Sequence, residues 1–282
     1  MAAALVALLI AHGSDRRAES SRSGNSLIGE VRTTPSRETL RVGSFNIHAG
    51  RGSDGRFDLT RTAESLLELD VVGLNEVRGD TIWETSDQAA ALAARLGLAW
   101  CFAPSERRFW NGHWGNALLS AWPVRQWEVV PLAGTRGKAY RNLVDAEVEF
   151  GTQRVHVLVT HIDTADDHVH QLAAVVDRFL ALPEPAVLMG DMNARRDDPE
   201  IARLLATPGV LDCVGSHLGK ADSRGRIDWI FARGLELHAA GVRSGDASDH
   251  PCVWAELVPR ESAVAKRSED TVAERSEDAV RQ

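Results

Sequence analysis

The chain has 282 residues, 44% of them hydrophobic, which is enough for a sizeable core, and a formal net charge of −8 at pH 7. Such an acidic chain has no general affinity for phosphate backbones, so nucleic acid is a possible partner that net charge does not favour, although a local basic rim is not excluded. Three cysteines, Cys101, Cys213 and Cys252, form no CxxC pair, so neither a disulfide framework nor a structural zinc site is indicated.

The N-terminal run "MAAALVALLIAHG" has the length of a signal-peptide core but lacks the basic residue expected before it, and is too short to span a bilayer. An export signal and a cytoplasmic start both remain open readings. From Ser14 to Thr39 the sequence is rich in Ser, Arg, Gly and Thr, so residues 1–39 read as a signal-like run followed by a disordered linker. A domain-sized segment, 40–260, follows, and no part of it approaches the length of a transmembrane span. Residues 261–282 carry an eight-residue charged repeat, "VAKRSEDT" then "VAERSEDA", too short and polar to bury a core, and are expected to be disordered.

Within the domain, "LRVGSFNI" reads as a strand, and "DLTRTAESLLEL" as a helix with Leu59, Ala63, Leu66 and Leu67 at helical spacing behind an Asp58 cap. "DVVGL" is a short buried strand, and "SDQAAALAARLG" a helix closed by Gly97. "GNALLSAWPV", "RNLVDAEVEF" and "RVHVLVTHI" read as successive strands, the last two joined through a turn at Gly151. A helix from Val169 to Leu182, a strand from Ala186 to Gly190 and a helix begun by "DDPE" follow, then late strands in "RIDWIF", "LELHAAGV" and "PCVWAEL". Hairpins mixed with helices predict an α+β sandwich, with two mainly antiparallel sheets packed together and helices outside.

Short polar residues recur where apolar runs end: Asn46, Glu76, His161, Asp191, Asn193, Asp228, and the pair Asp249–His250. Taken singly, Asp191 or Asn193 reads as a turn former and His161 as a structural histidine. Taken together they form an oxygen-rich set with no thiolate, suited to Mg²⁺ or Mn²⁺, with Ca²⁺ a further option. A His beside an Asp is an acid/base element, because the carboxylate fixes the ring and favours its protonated form. Metal-assisted hydrolysis of a phosphate ester would use all of these groups.

The ordered series "SFNIHAG", "GLNEV", "GNALLS", "THID", "GDMN", "RIDWIF" and "SDH" resembles the metal-dependent endonuclease/exonuclease/phosphatase superfamily, which includes DNase I, abasic-site endonucleases, neutral sphingomyelinases and inositol polyphosphate 5-phosphatases. The resemblance implies a four-layer sandwich. It also implies that Glu76 is the principal metal ligand, with Asn46 beside it and Asp249 completing the metal side. Asp191 would direct water, Asn193 hold a phosphate oxygen, His250 act on the phosphate under the orientation of Asp228, and His161 contact the phosphate from the other side.

Substrate is less defined. His48, Asn116 and Arg141 are expected as substrate-binding residues, and the aromatic, arginine-bearing loop "ERRFWNGHWGN" as either a specificity element or packing over a sheet edge. The chain shows no long insertion resembling a DNA clasp or a membrane hairpin. The expectation is therefore a phosphodiesterase for a small or lipid-derived phosphate ester, with a nuclease acting on DNA or RNA as the alternative and a catalytically silent binding module as a third reading.

Overall fold

The computed structural model describes residues 17–18, 21–31, 38–79, 87–108, 112–134, 140–218 and 225–260. The signal-like run, the C-terminal repeat, and Phe109 and Trp110 of the aromatic loop lie outside the described residues. No described helix is long and apolar enough to cross a membrane.

Among the described residues, two seven-stranded sheets form the centre of the fold. The first is ordered β1 (Arg17–Ala18), β5 (Ala99–Arg108), β6 (Gly112–Ser120), β4 (Val71–Arg78), β3 (Leu40–Asn46), β14 (Cys252–Pro259), β13 (Leu235–Arg243). The second is ordered β11 (Leu211–Asp212), β12 (Asp228–Arg233), β10 (Ala186–Asp191), β9 (Gln153–His161), β8 (Arg141–Phe150), β7 (Val124–Leu132), β2 (Arg22–Gly24). Each sheet is antiparallel except for one central parallel pair, β3 with β4 and β9 with β10. Helices flank the sheets, giving the expected α+β sandwich.

Alternation along the central strands explains the layering. On β9 and β10, Val155, Val157, Val159, Val187 and Met189 turn into the core between the sheets. Leu158, Ala186 and Leu188 turn outward, beneath α3 (His168–Ala181) and α4 (Pro199–Ala206). Strands buried on both faces read as unbroken apolar runs, which is why "AVLMG" carries no polar alternation. Helix α3 presents Leu172, Val175, Val176 and Phe179, all fully buried, at the spacing of one helical face. On the other sheet α1 (Leu59–Ser65) and α2 (Gln88–Leu96) are capped by Asp58 and Asp87, whose side chains accept from Thr60 N and Ala89 N. Gly97 ends α2 at φ 73°. A short helix, α5 (Cys213–Leu218), packs near β12 and β13.

The expected linker needs correction. Arg17–Ala18 pairs with β5 and Arg22–Gly24 with β7, while Ile28 bridges Trp100, so pieces of residues 1–39 line the edges of both sheets. Polar composition does not forbid this, because an edge strand offers unpaired backbone groups to any extended segment. The Trp127 indole lies against Gly24, where a Cβ would come within 2.8 Å, and donates to the Ser26 carbonyl at 2.9 Å.

Candidate active site

The two parallel pairs end on the same rim, the place where α/β sheets present ligand sites. Register puts Asp191 opposite His161 on one side and Asp228 on the other, so three polar residues far apart in sequence form a row across β9, β10 and β12. In the other sheet Asn46 stands opposite Asn75 at the ends of β3 and β4.

Local backbone irregularities aim these side chains. A bulge between Leu74 and Val77 interrupts the β4–β6 ladder, and Glu76 sits in it at φ 56°. Asn193 has φ 48° and His48 φ 46°. Non-glycine residues in this region carry strain of about 1–3 kcal/mol each, and such strain concentrates at functional sites. The strand ends at Asp191, so Asp191 and Asn193 are not set side by side by an extended path. Instead Asn193 N donates to Asp191 Oδ1 at 3.0 Å, and its side-chain amide donates to the Ile162 carbonyl at 2.9 Å.

Asn46 Nδ2 donates to Glu76 Oε1 at 3.2 Å and to Asp191 Oδ2 at 3.0 Å, tying the two sheets together at the site. His48 N donates back to Asn46 Oδ1 at 3.1 Å, and the His48 ring lies 3.4 Å from Asp249 Oδ1. Asp249 is the most open of these acids, with about half its side chain exposed. His250 Nδ1 lies 2.9 Å from Asp228 Oδ2, and its Nε2 lies 3.7 Å from Asp191 Oδ2. His161 Nε2 approaches the same oxygen at 3.4 Å, and Arg141 Nη1 reaches His161 Nδ1 at 3.0 Å. Thus Asn46, Glu76, His161, Asp191, Asp228 and His250 are linked in one constellation, with His48, Arg141, Asn193 and Asp249 around it.

Asn116 does not line the site as a substrate contact. It is 2% exposed; its Oδ1 accepts from Asn75 at 2.8 Å and its Nδ2 donates to Asn142 Oδ1 at 2.8 Å. It belongs to a buried relay that sequence reasoning missed. Asn142 Nδ2 donates to the Ala103 and Pro104 carbonyls, Asn75 Nδ2 donates to the Thr160 carbonyl, and Asn75 Oδ1 accepts the Asp191 N–H at 2.9 Å. The signal was present in "GLNEV", where Asn75 precedes Glu76, but the amide's partners come from three other strands, β6, β9 and β10. Ser248 was also missed: its hydroxyl donates to the Asn46 carbonyl at 2.7 Å and accepts His250 N–H at 3.2 Å, holding the Asp249–His250 turn to β3.

Proton affinities diverge within this small space. Burial, reinforced by nearby Asp228, pushes the Asp191 carboxyl up to about 6. Burial likewise raises Asp228. Burial opposes a charge on His250, but the Asp228 hydrogen bond and the charges of Asp228, Asp191 and Asp249 outweigh it and push the ring up to about 9. His161 moves the other way, held well below the ordinary histidine value by burial and then by Arg141 and His250.

The residues fit a divalent cation. Asp191, Asp228 and His250 offer ligand atoms within 4.8 Å of one another. Asp228 Oδ1 is buried without a hydrogen-bond partner among the described residues. A hard cation satisfies an orphaned carboxylate oxygen of this kind, and the surrounding donors are mainly oxygens. Clustered acids with a histidine dyad at the rim of a double-sheet sandwich define a metal-dependent hydrolase.

The chain belongs to the Endonuclease/Exonuclease/phosphatase family, which it matches over residues 43–250. It is 28% identical over 173 residues to Uncharacterized protein YbhP of Escherichia coli (strain K12), an alignment covering 55% of this chain and 67% of that protein. The crystal structure of an endonuclease/exonuclease/phosphatase from Beutenbergia cavernae DSM 12333 superposes with a TM-score of 0.63 at 28% identity, covering 79% of this chain and 72% of the other. D. rerio TDP2 complexed with single strand DNA product superposes with a TM-score of 0.60 at 21% identity, covering 78% and 99% of the two chains, a likeness of fold.

Proposed function

We propose that this hydrolase cleaves phosphodiesters by in-line attack of water, and that its substrate is a nucleic-acid strand end or short oligonucleotide. The observation that carries the reaction is the row His161–Asp191–Asp228 beside His250, in which one carboxyl is tuned near neutrality and one imidazole is held protonated. The solved relatives support nucleic acid better than the small or lipid-derived ester expected from sequence, since one of them was captured with single strand DNA product. The net charge of −8 favours a short footprint over a long duplex.

Glu76, Asn46 and Asp249 would hold the cation, and the carboxylates of Asp191 and Asp228, not the protonated His250, are the further oxygens available to it. When bound, Mg²⁺ or Mn²⁺ neutralises phosphate charge and stabilises the leaving oxygen. Asp191, with a proton affinity near neutral pH, accepts the proton of the attacking water at its carboxylate. His250, charged and backed by Asp228, donates through Nε2 to a phosphoryl oxygen. Asn193, braced by Ile162, has a second amide N–H to offer a non-bridging oxygen.

One experiment separates the readings. Under a single Mg²⁺ condition the protein is offered bis-p-nitrophenyl phosphate, end-labelled single-stranded oligonucleotide, plasmid, glycerophosphodiester, sphingomyelin and inositol phosphate. Hydrolysis of the first two, lost in EDTA and restored by Mg²⁺ or Mn²⁺, is expected. Turnover confined to the glycerophosphodiester or lipid would replace the nucleic-acid reading, and no metal-dependent turnover at all would sink the mechanism.

A further inference from the structure

The contact between Arg141 and His161 determines which imidazole nitrogen carries the proton. A guanidinium donates from every nitrogen and keeps its charge in proteins. At 3.0 Å from Arg141 Nη1, His161 Nδ1 must therefore be an acceptor, and the ring's single proton must sit on Nε2. A doubly protonated ring would set one N–H against another. Nε2 faces Asp191 Oδ2 at 3.4 Å, longer than a good N–H···O bond, and no closer acceptor takes it among the described residues.

Arg141 is itself held in place. Its Nη2 lies 3.8 Å from Asp163 Oδ1. Asp163 N donates to Gln171 Oε1 at 3.0 Å, and the His168 ring lies 2.8 Å from the Asp163 carbonyl, so α3 clamps the residue that orients the guanidinium. The other histidine beside Asp191 has the opposite partner: His250 Nδ1 faces a carboxylate where His161 Nδ1 faces a guanidinium. Two imidazoles beside one aspartate are thus set up for different work.

We propose that Arg141 is a positioning residue that fixes His161 in its Nε2–H tautomer, so that His161 serves as a fixed neutral hydrogen-bond donor to the substrate phosphoryl group and not as a base. Only the identity of the acceptor rests on the phosphodiesterase reading; the tautomer is a property of the free protein. Burial of the ring, with the Arg141 charge adding to it, disfavours a second proton and agrees with this role. Proton acceptance then falls to Asp191 alone.

The test uses the full chain labelled with ¹⁵N-histidine, with and without Mg²⁺, the His161 signals being those missing from H161Q. Between about pH 7 and 8, Nδ1 should resonate as an unprotonated and Nε2 as a protonated nitrogen. An Nδ1–H tautomer or an imidazolium in that window overturns the proposal. R141M should release the ring into a mixture of tautomers and R141K should restore the single one, whereas a folded R141M with the wild-type pattern removes Arg141 from the role. In kinetics H161Q, which keeps an N–H near the Nε2 position, should lose at least about tenfold less kcat than H161L, for which the loss of one donor implies about 10²–10³-fold; equal losses overturn the donor role. If R141M does not fold, the wild-type spectrum and the Gln/Leu pair still decide. Absence of any phosphodiester turnover would remove the proposed function while leaving the tautomer measurement to stand or fall by itself.

Discussion

Asp191 and His250 approach within 3.7 Å, yet their surroundings push their proton affinities apart, to about 6 and about 9. Asp191 must be ionised to take a proton, so activity should rise with pH through about 6. His250 must be charged to donate, so activity should fall through about 9. A bell-shaped kcat/KM profile is expected, and D228N, which removes the carboxylate charge behind His250, should move its alkaline limb to lower pH; an unmoved limb would show that His250 does not set it. The Asn116 side chain can be examined through stability. Asn116→Leu leaves one of the two Asn75 Nδ2 hydrogens and Asn142 Oδ1 without their buried partner, Asn75 keeping its bond to the Thr160 carbonyl, at about 1–3 kcal/mol each, which a urea midpoint would register.

At the scale of elements, the parallel pair β9–β10 depends on Gly190. It has φ 149°, and a Cβ there would stand 1.9 Å from the Thr160 carbonyl oxygen of the neighbouring strand. Gly190→Ala should therefore separate the strands beneath Asp191 and cost about 3 kcal/mol or more by chemical denaturation, whereas a neutral result would mean the pair can relax. The bulge that carries Glu76 is an equivalent device in the other sheet. Most central strands and four helices were legible because their apolar spacing is local; the Asp58 cap and the Gly97 helix end lie where the sequence placed them. Strand β5 was not, since "AWCFAPSERR" contains a proline and a charged end and has no clean alternation. Leu67, expected on the buried face of α1, is 54% exposed because the helix ends at Ser65.

For the molecule as a whole, the site exists only when both sheets are assembled, so cation binding is coupled to global folding. Saturating Mg²⁺ at about a hundredfold over its Kd should stabilise the chain by about 2.7 kcal/mol. Differential scanning should show a higher Tm in Mg²⁺ than in EDTA, with the increment reduced in E76Q. An identical Tm with Mg²⁺, Mn²⁺, Ca²⁺ and EDTA would argue against a resident cation.

The sequence by itself determined the sandwich class, the family resemblance and the polar residues at strand ends, because side-chain period and motif order are written along the chain. It did not reveal the Asn75–Asn116–Asn142 relay, the edge pairing of residues 17–18 and 22–24 or the tautomer of His161. Those depend on which strands become neighbours. Asp191 alone acquires partners from β3, β4 and β9, and across the site from His250, up to 145 residues away. Only tertiary structure brings Asn46, His161 and His250 to one carboxylate oxygen, and there burial in a shared low-dielectric rim turns a turn-forming aspartate into a group poised to exchange a proton.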